Sequence, residues 1–113
     1  MVTQKNLIAI AVKENDELWG GHFGMAPFYK LYSYNGQLIE RRENPFGVGH
    51  GKHKHHDNPK IILDLLNDCK VFIAKRIGKE SNKKKLESKG VVTFIANETD
   101  PQLALCEYLK FEE

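Results

Sequence analysis

Six consecutive apolar residues, Leu7 to Val12 (LIAIAV), constrain this chain more than any other feature. A strand with no polar position has no face to give to water, so it must lie inside a sheet that is covered on both sides. Covering it takes a core. With 113 residues, 41% hydrophobic and 28% charged, the chain has the composition of one globular domain spanning residues 1–113. A domain of this size buries roughly two-thirds of its unfolded surface. Disorder and a multidomain enzyme both fit this composition badly.

The remaining segments supply partners for that strand. Lys13 to Gly24 (KENDELWGGHFG) is polar and glycine-rich, a loop, and Phe28 to Tyr34 is an aromatic strand. Asn35-Gly36 then predicts a type I′ hairpin turn, in which both central residues take positive φ, leading into a strand from Gln37 to Glu43. Asn44 to Asn58 holds three glycines and four histidines without apolar periodicity, which predicts a long exposed loop, poorly ordered without metal. Asn58-Pro59 opens a helix with Ile61, Ile62, Leu65 and Leu66 on one face. Lys70 to Ile77 is a strand ending at Gly78. A Lys-rich surface helix spans Ser81 to Ser88, anchored by Leu86 and stopped at Gly90. Val91 to Ala96 is the last strand, and Thr99-Asp100-Pro101 opens a final helix with Leu105, Tyr108 and Leu109 on one side.

The resulting order, βββαβαβα, predicts an α/β fold. Its five-stranded mixed sheet runs 3-2-1-4-5, with the second strand antiparallel to the rest and helices on both faces. The carboxyl ends of the first, third and fourth strands then share one edge, where open α/β sheets bind ligands. The loops 13–24, 44–58 and 78–82 leave from that edge, which brings His22 and the His-rich loop together.

Several function classes are excluded or disfavoured. Lys and Arg exceed Asp and Glu by only 17 − 15 = 2, too little for a nucleic-acid footprint. No apolar run approaches a membrane span and Met1 to Asn6 carries no signal pattern, so a cytoplasmic protein is expected. Cys69 and Cys106 form no C-x-x-C pair; both read as inert packing residues, and any metal must rely on histidine or carboxylate. Gly20-Gly21-x-x-Gly24 lacks the Gly-Lys-Ser/Thr of a phosphate loop. Lys83 to Lys85 reads as a solvated helix face. Trp19 is read either as an exposed anchor for a partner or as a packing residue.

Gly20-Gly21-His22-Phe23-Gly24, followed by Met25-Ala26-Pro27-Phe28, is the most distinctive segment. With the IAIAV strand before it, the YKLYSYNG hairpin, Glu43-Asn44-Pro45 and Ile77-Gly78, it resembles the nitrogenase iron-molybdenum cofactor biosynthesis family, the NifX-like domain also found at the end of NifB proteins. The resemblance covers nearly all 113 residues. It implies a ribonuclease H-like fold and non-enzymatic binding or trafficking of an iron-sulfur or iron-molybdenum cluster, with cluster donor and acceptor proteins as partners. It makes His22 the cluster contact, within a binding element of Gly21, Phe23, Gly24 and Gly78.

Independently of the resemblance, a neutral imidazole ligates iron well, and flanking glycines let a bulky inorganic ligand approach the backbone. The alternative is that the glycines shape a turn and His22 caps the sheet end with a hydrogen bond. His50, His53, His55 and His56 place four imidazoles in seven positions, a density suited to Zn, Ni or Cu. Lys52 and Lys54 oppose a cation there, and a solvated loop is the competing reading. This cluster departs from the family pattern. The implied fold also raises nuclease chemistry, which needs clustered carboxylates starting on the first strand. Leu7 to Val12 has none, and Glu14, Asp16 and Asp64 do not converge, so that activity is rejected. The function expected is a cluster carrier, with a metal-free protein-interaction or regulatory module as its rival.

Overall fold

The computed structural model describes residues 7–45, 59–77 and 80–112. Strand β1 (Leu7–Val12) is the middle of a five-stranded sheet. On one side it pairs antiparallel with β2 (Phe28–Tyr32), which pairs antiparallel with the edge strand β3 (Leu38–Glu43). On the other it pairs parallel with β4 (Cys69–Ala74), which pairs parallel with the second edge strand β5 (Val92–Ile95). The order β3-β2-β1-β4-β5 is the one the apolar pattern predicts.

Both faces are covered, as the all-apolar sequence of β1 demands. Ile8 to Val12 are all 0% exposed, and alternation divides them between two cores. Ile8, Ile10 and Val12 pack with Val71, Ile73 and Tyr32 under Ala104, Leu105 and Tyr108 of α3 (Pro101–Glu112). Ala9 and Ala11 pack with Tyr29, Leu31 and Phe72 under Ile62 of α1 (Pro59–Leu65), Leu66 just beyond it, and Leu86 of α2 (Glu80–Ser88). Small residues suit this second face because it holds stacked rings. Ala9 lies beside Phe72 in register, and Phe72 stacks on Phe23 with centroids 4.6 Å apart.

The helix ends follow their local chemistry. Asp100 caps α3, its carboxylate accepting the Gln102 N–H at 2.8 Å, and Pro101 takes the first turn, where no N–H is required. Gly90, with φ +88°, closes α2 as the left-handed residue of a paired motif in which the Val91 N–H reaches the Leu86 carbonyl and the Gly90 N–H that of Glu87. Lys83 pairs with Glu87 on the exposed side of α2, in keeping with a solvated face.

Three expectations are corrected. The hairpin turn is a three-residue loop, Tyr34 to Gly36, because the Ser33 N–H donates to the Gln37 carbonyl, the Gly36 N–H donates to the Ser33 carbonyl, and only Gly36 takes positive φ. Asn35 stays outside the left-handed region and uses its side chain instead, accepting from the Ser33 hydroxyl and the Gln37 N–H. β4 ends at Ala74 rather than Ile77, and Arg76 makes an isolated bridge beyond it. Cys106 is exposed, since it lies one residue out of phase with the buried face of α3 that carries Leu105 and Tyr108; Cys69 is buried as expected. The disorder expected of the His-rich loop concerns residues 46–58, outside those described.

Charged residues dock the hairpin on both faces. Arg42 donates to the Leu65 carbonyl at 2.8 Å, to both oxygens of Asp68 at 3.1 and 3.0 Å, and to Glu40. Arg41 lies 3.9 Å over the Phe28 ring and donates at 2.7 Å to Asp16, whose φ is +71°.

Two outcomes are expected. Leu105→Ala should lower unfolding free energy by about 2–5 kcal/mol in urea titrations, whereas Leu103→Ala, 53% exposed on the same helix, should stay within about 0.5 kcal/mol. Arg42 holds the Asp68 carboxyl below the ordinary aspartate value. Its stabilisation is therefore complete above about pH 4 and is lost as pH falls through the lower folded value. Acid titration of stability should be shallower in Asp68→Asn; an unchanged acid limb would remove this pair from the account.

Candidate functional site

β1, β3, β4 and β5 point the same way, so Val12, Glu43, Ala74 and Ile95 end on one edge of the sheet. The chain leaving β1 turns back at once. The Lys13 N–H bonds the Glu17 carbonyl at 2.7 Å, Leu18 bridges Val12, and the Trp19 N–H returns to the Ala11 carbonyl at 3.0 Å. Thr99, arriving from β5, accepts the Leu18 N–H at 2.8 Å. His22 then forms a parallel bridge to Arg76, just past β4. A single 3-10 turn, Phe23–Met25, carries the chain into β2.

This loop is held from beneath by buried polar groups. Asn44, at the exit of β3, is 0% exposed. Its side-chain amide donates to the carbonyls of Gly24 (3.0 Å) and Ala26 (2.8 Å) and lies 3.2 Å from the Tyr29 hydroxyl. Tyr29 in turn donates to the Phe23 carbonyl at 2.6 Å. Complete burial pushes the Tyr29 phenol well above its ordinary pKa, with the Asn44 hydrogen bond a smaller opposing effect, so it remains a neutral donor. Phe23 is itself buried, between Tyr29 and Phe72.

From above, the Trp19 indole N–H donates to the His22 carbonyl at 3.0 Å. Gly21 is glycine because the same indole lies against it: a Cβ there would sit 2.9 Å from Trp Nε1. The space beside Gly21 is thus filled by Trp19, which is a half-buried packing residue rather than a free anchor. The His22 imidazole is half-buried and, among the described residues, has no hydrogen-bond partner. This argues against His22 as a hydrogen-bonding cap.

Of the residues singled out from sequence, His22, Gly21, Phe23 and Gly24 form this loop. Gly78, His50, His53, His55 and His56 lie outside the described residues. Among the described residues no three His, Cys, Asp or Glu side chains converge as a metal-ion site, so the Zn or Ni expectation gains no support. The carboxylates weighed for nuclease chemistry are dispersed. Asp16 is tied to Arg41 and Lys30, and Asp64 is on the exposed side of α1. Burial, with Asp68 adding to it, pushes the Cys69 thiol well above its ordinary value, consistent with an inert residue. Asn44 and Arg76 also carry the loop: in sequence Asn44 enters only as part of the Glu43-Asn44-Pro45 motif, with no role of its own, and Arg76 carries no signal. The signal for Asn44 was its position between a strand end and Pro45.

Comparison with known proteins agrees with this architecture. Residues 4–110 match the family model described as dinitrogenase iron-molybdenum cofactor. The NMR structure of a candidate NifB protein from Thermotoga, of the DUF35 family, is similar with a TM-score of 0.66, covering 93% of this chain and 88% of that one at 20% identity. That likeness shows a shared fold. No curated protein matches the chain by sequence.

Asn44→Ala should lower stability by about 2–3 kcal/mol, since it strips donors from buried carbonyls. Trp19 is the one tryptophan in the chain, so its fluorescence reports this loop alone. Gly21→Ala should displace the indole and shift its emission to the red; an unshifted spectrum would mean the loop absorbs the Cβ elsewhere.

Proposed function

The chain belongs to the dinitrogenase iron-molybdenum cofactor family, and from that membership we propose that it carries an iron-sulfur or iron-molybdenum cluster as cargo, through His22, without catalysing a reaction on it. Membership ties the chain to iron-molybdenum cofactor biosynthesis or trafficking. The observation that carries the finer reading is the state of His22, whose backbone is fixed by Trp19 and Arg76 while its imidazole has no partner among the described residues.

The donor chemistry fits such cargo better than a bare ion. Zn or Ni needs three or four protein ligands in one place. A preformed cluster brings its own sulfides and terminal ligands and can accept one imidazole at a single metal. Gly21, Phe23 and Gly24 contribute by shaping and anchoring the loop rather than by contact. The partners implied are the proteins of cofactor biosynthesis that deliver and receive the cluster, which act in the cytoplasm. No described helix is long and apolar enough to cross a membrane. The mixed sheet order also supports reading the fold as ribonuclease H-like.

Anaerobic titration with a synthetic [4Fe–4S] thiolate cluster tests this proposal. Stoichiometric uptake should quench Trp19, and His22→Ala should weaken retention at least tenfold, about 1.4 kcal/mol, with the fold intact. A colourless protein that nonetheless captures a cofactor-biosynthesis partner would overturn the carrier reading in favour of an interaction module.

A further inference from the structure

The bridge between His22 and Arg76 has a chemical consequence. Residues paired across neighbouring extended segments put their side chains on the same side, about 5 Å apart at Cβ. The imidazole and the guanidinium therefore leave the sheet edge together. Ile77, 8% exposed, is anchored in the core beside Arg76, which is itself exposed.

Arg76 also differs from the other two arginines of the chain. Arg41 is bound to Asp16, and Arg42 to Asp68 and Glu40. Among the described residues Arg76 has no carboxylate partner, while Lys13, at the exit of β1, is paired with Glu17 at 3.2 Å. Among the described residues, a guanidinium with no carboxylate partner thus stands beside an imidazole with no hydrogen-bond partner, which suits a ligand that is both metal-bearing and anionic. The imidazole supplies a donor to one metal, and the planar fork supplies two N–H groups to sulfide or carboxylate at the cluster surface.

We propose that Arg76 is the anion-recognition partner of His22, selecting cargo by negative charge while His22 makes the metal bond. This rests on the cargo reading of His22, and its test separates the two. Two synthetic [4Fe–4S] clusters with the same core serve as probes, one with 2-mercaptoethanol ligands and net negative charge, the other with cysteamine ligands and net positive charge. Both are titrated anaerobically into the full chain and followed by visible absorption and Trp19 quenching.

Arg76→Gln should weaken the anionic cluster about tenfold and flatten its salt dependence, leaving the cationic cluster within about twofold. Arg76→Lys should recover most of the salt dependence and only part of the affinity. His22→Ala should weaken both clusters. Because the Arg76 bridge is made by backbone and its side chain is exposed, the Gln variant should keep wild-type Trp19 emission. Equal binding of the anionic cluster by wild type and Arg76→Gln, with His22→Ala impaired, overturns the role of Arg76 alone. Unimpaired binding by His22→Ala overturns the cargo reading, and the pairing proposed here with it.

Discussion

β1 has neighbours on both edges and cores on both faces, so only its two ends remain to meet solvent. Its carboxyl end is the one where the strand order divides, with β2 to one side and β4 to the other. At that point the chain cannot continue as sheet, and the loop that leaves must either fill the gap or open it to a ligand. Here it does some of each. Leu18 and Trp19 fold back and close the apolar part, while His22 is carried outward to the rim beside Arg76. Placement of the candidate site is thus a consequence of burying five consecutive apolar residues, Ile8 to Val12, completely.

On the proposed reading, a rim loop offering His22 for ligation must not wander, because ordering it on binding would subtract from the affinity. Backbone ordering in this loop is supplied by groups that are far apart in sequence. Asn44 satisfies the carbonyls of Gly24 and Ala26, and Tyr29 satisfies that of Phe23. The Ala26 and Phe23 carbonyls are bonded inside the protein, where an unpaired acceptor costs about 1–3 kcal/mol. The polar lock and the apolar core therefore reinforce one another: Phe23 cannot leave its stack on Phe72 without stranding the hydrogen bonds on either side of it.

Features governed by local or periodic rules were legible in the sequence. Complete apolarity announced β1 as central, the alternation of helices and strands gave the sheet order, and Asp100-Pro101 and Gly90 marked helix ends by backbone chemistry that needs no tertiary context. What stayed hidden depended on groups meeting across the fold. An Asn-Gly pair looks the same in a two-residue and a three-residue loop; pairing of Ser33 with Gln37 decides between them, and β3 then shifts register next to Tyr32. Asn44 reads as a loop residue because its acceptors arrive from about 20 positions earlier. Cys106 reads as a packing residue because it neighbours Leu105 in sequence, although a step of about 100° around a helix separates adjacent side chains.

Monodentate attachment at an exposed edge has a kinetic meaning for a carrier. A cluster held by several protein ligands from different elements leaves only when all of them release, and the fold must loosen to allow it. On the proposed reading only one protein–metal bond has to exchange, assisted by an ion pair that weakens with distance and salt. With an association rate constant of about 10⁶–10⁷ M⁻¹s⁻¹, micromolar affinity corresponds to release within about a second. Such a cluster would also present its outer metals to an acceptor while His22 still held the inner one, so transfer could proceed by ligand exchange between two docked proteins rather than through free solution. The rigidity of the Asn44 lock and the sparseness of the donor set then act together, because the loop need not move for cargo to arrive or to leave.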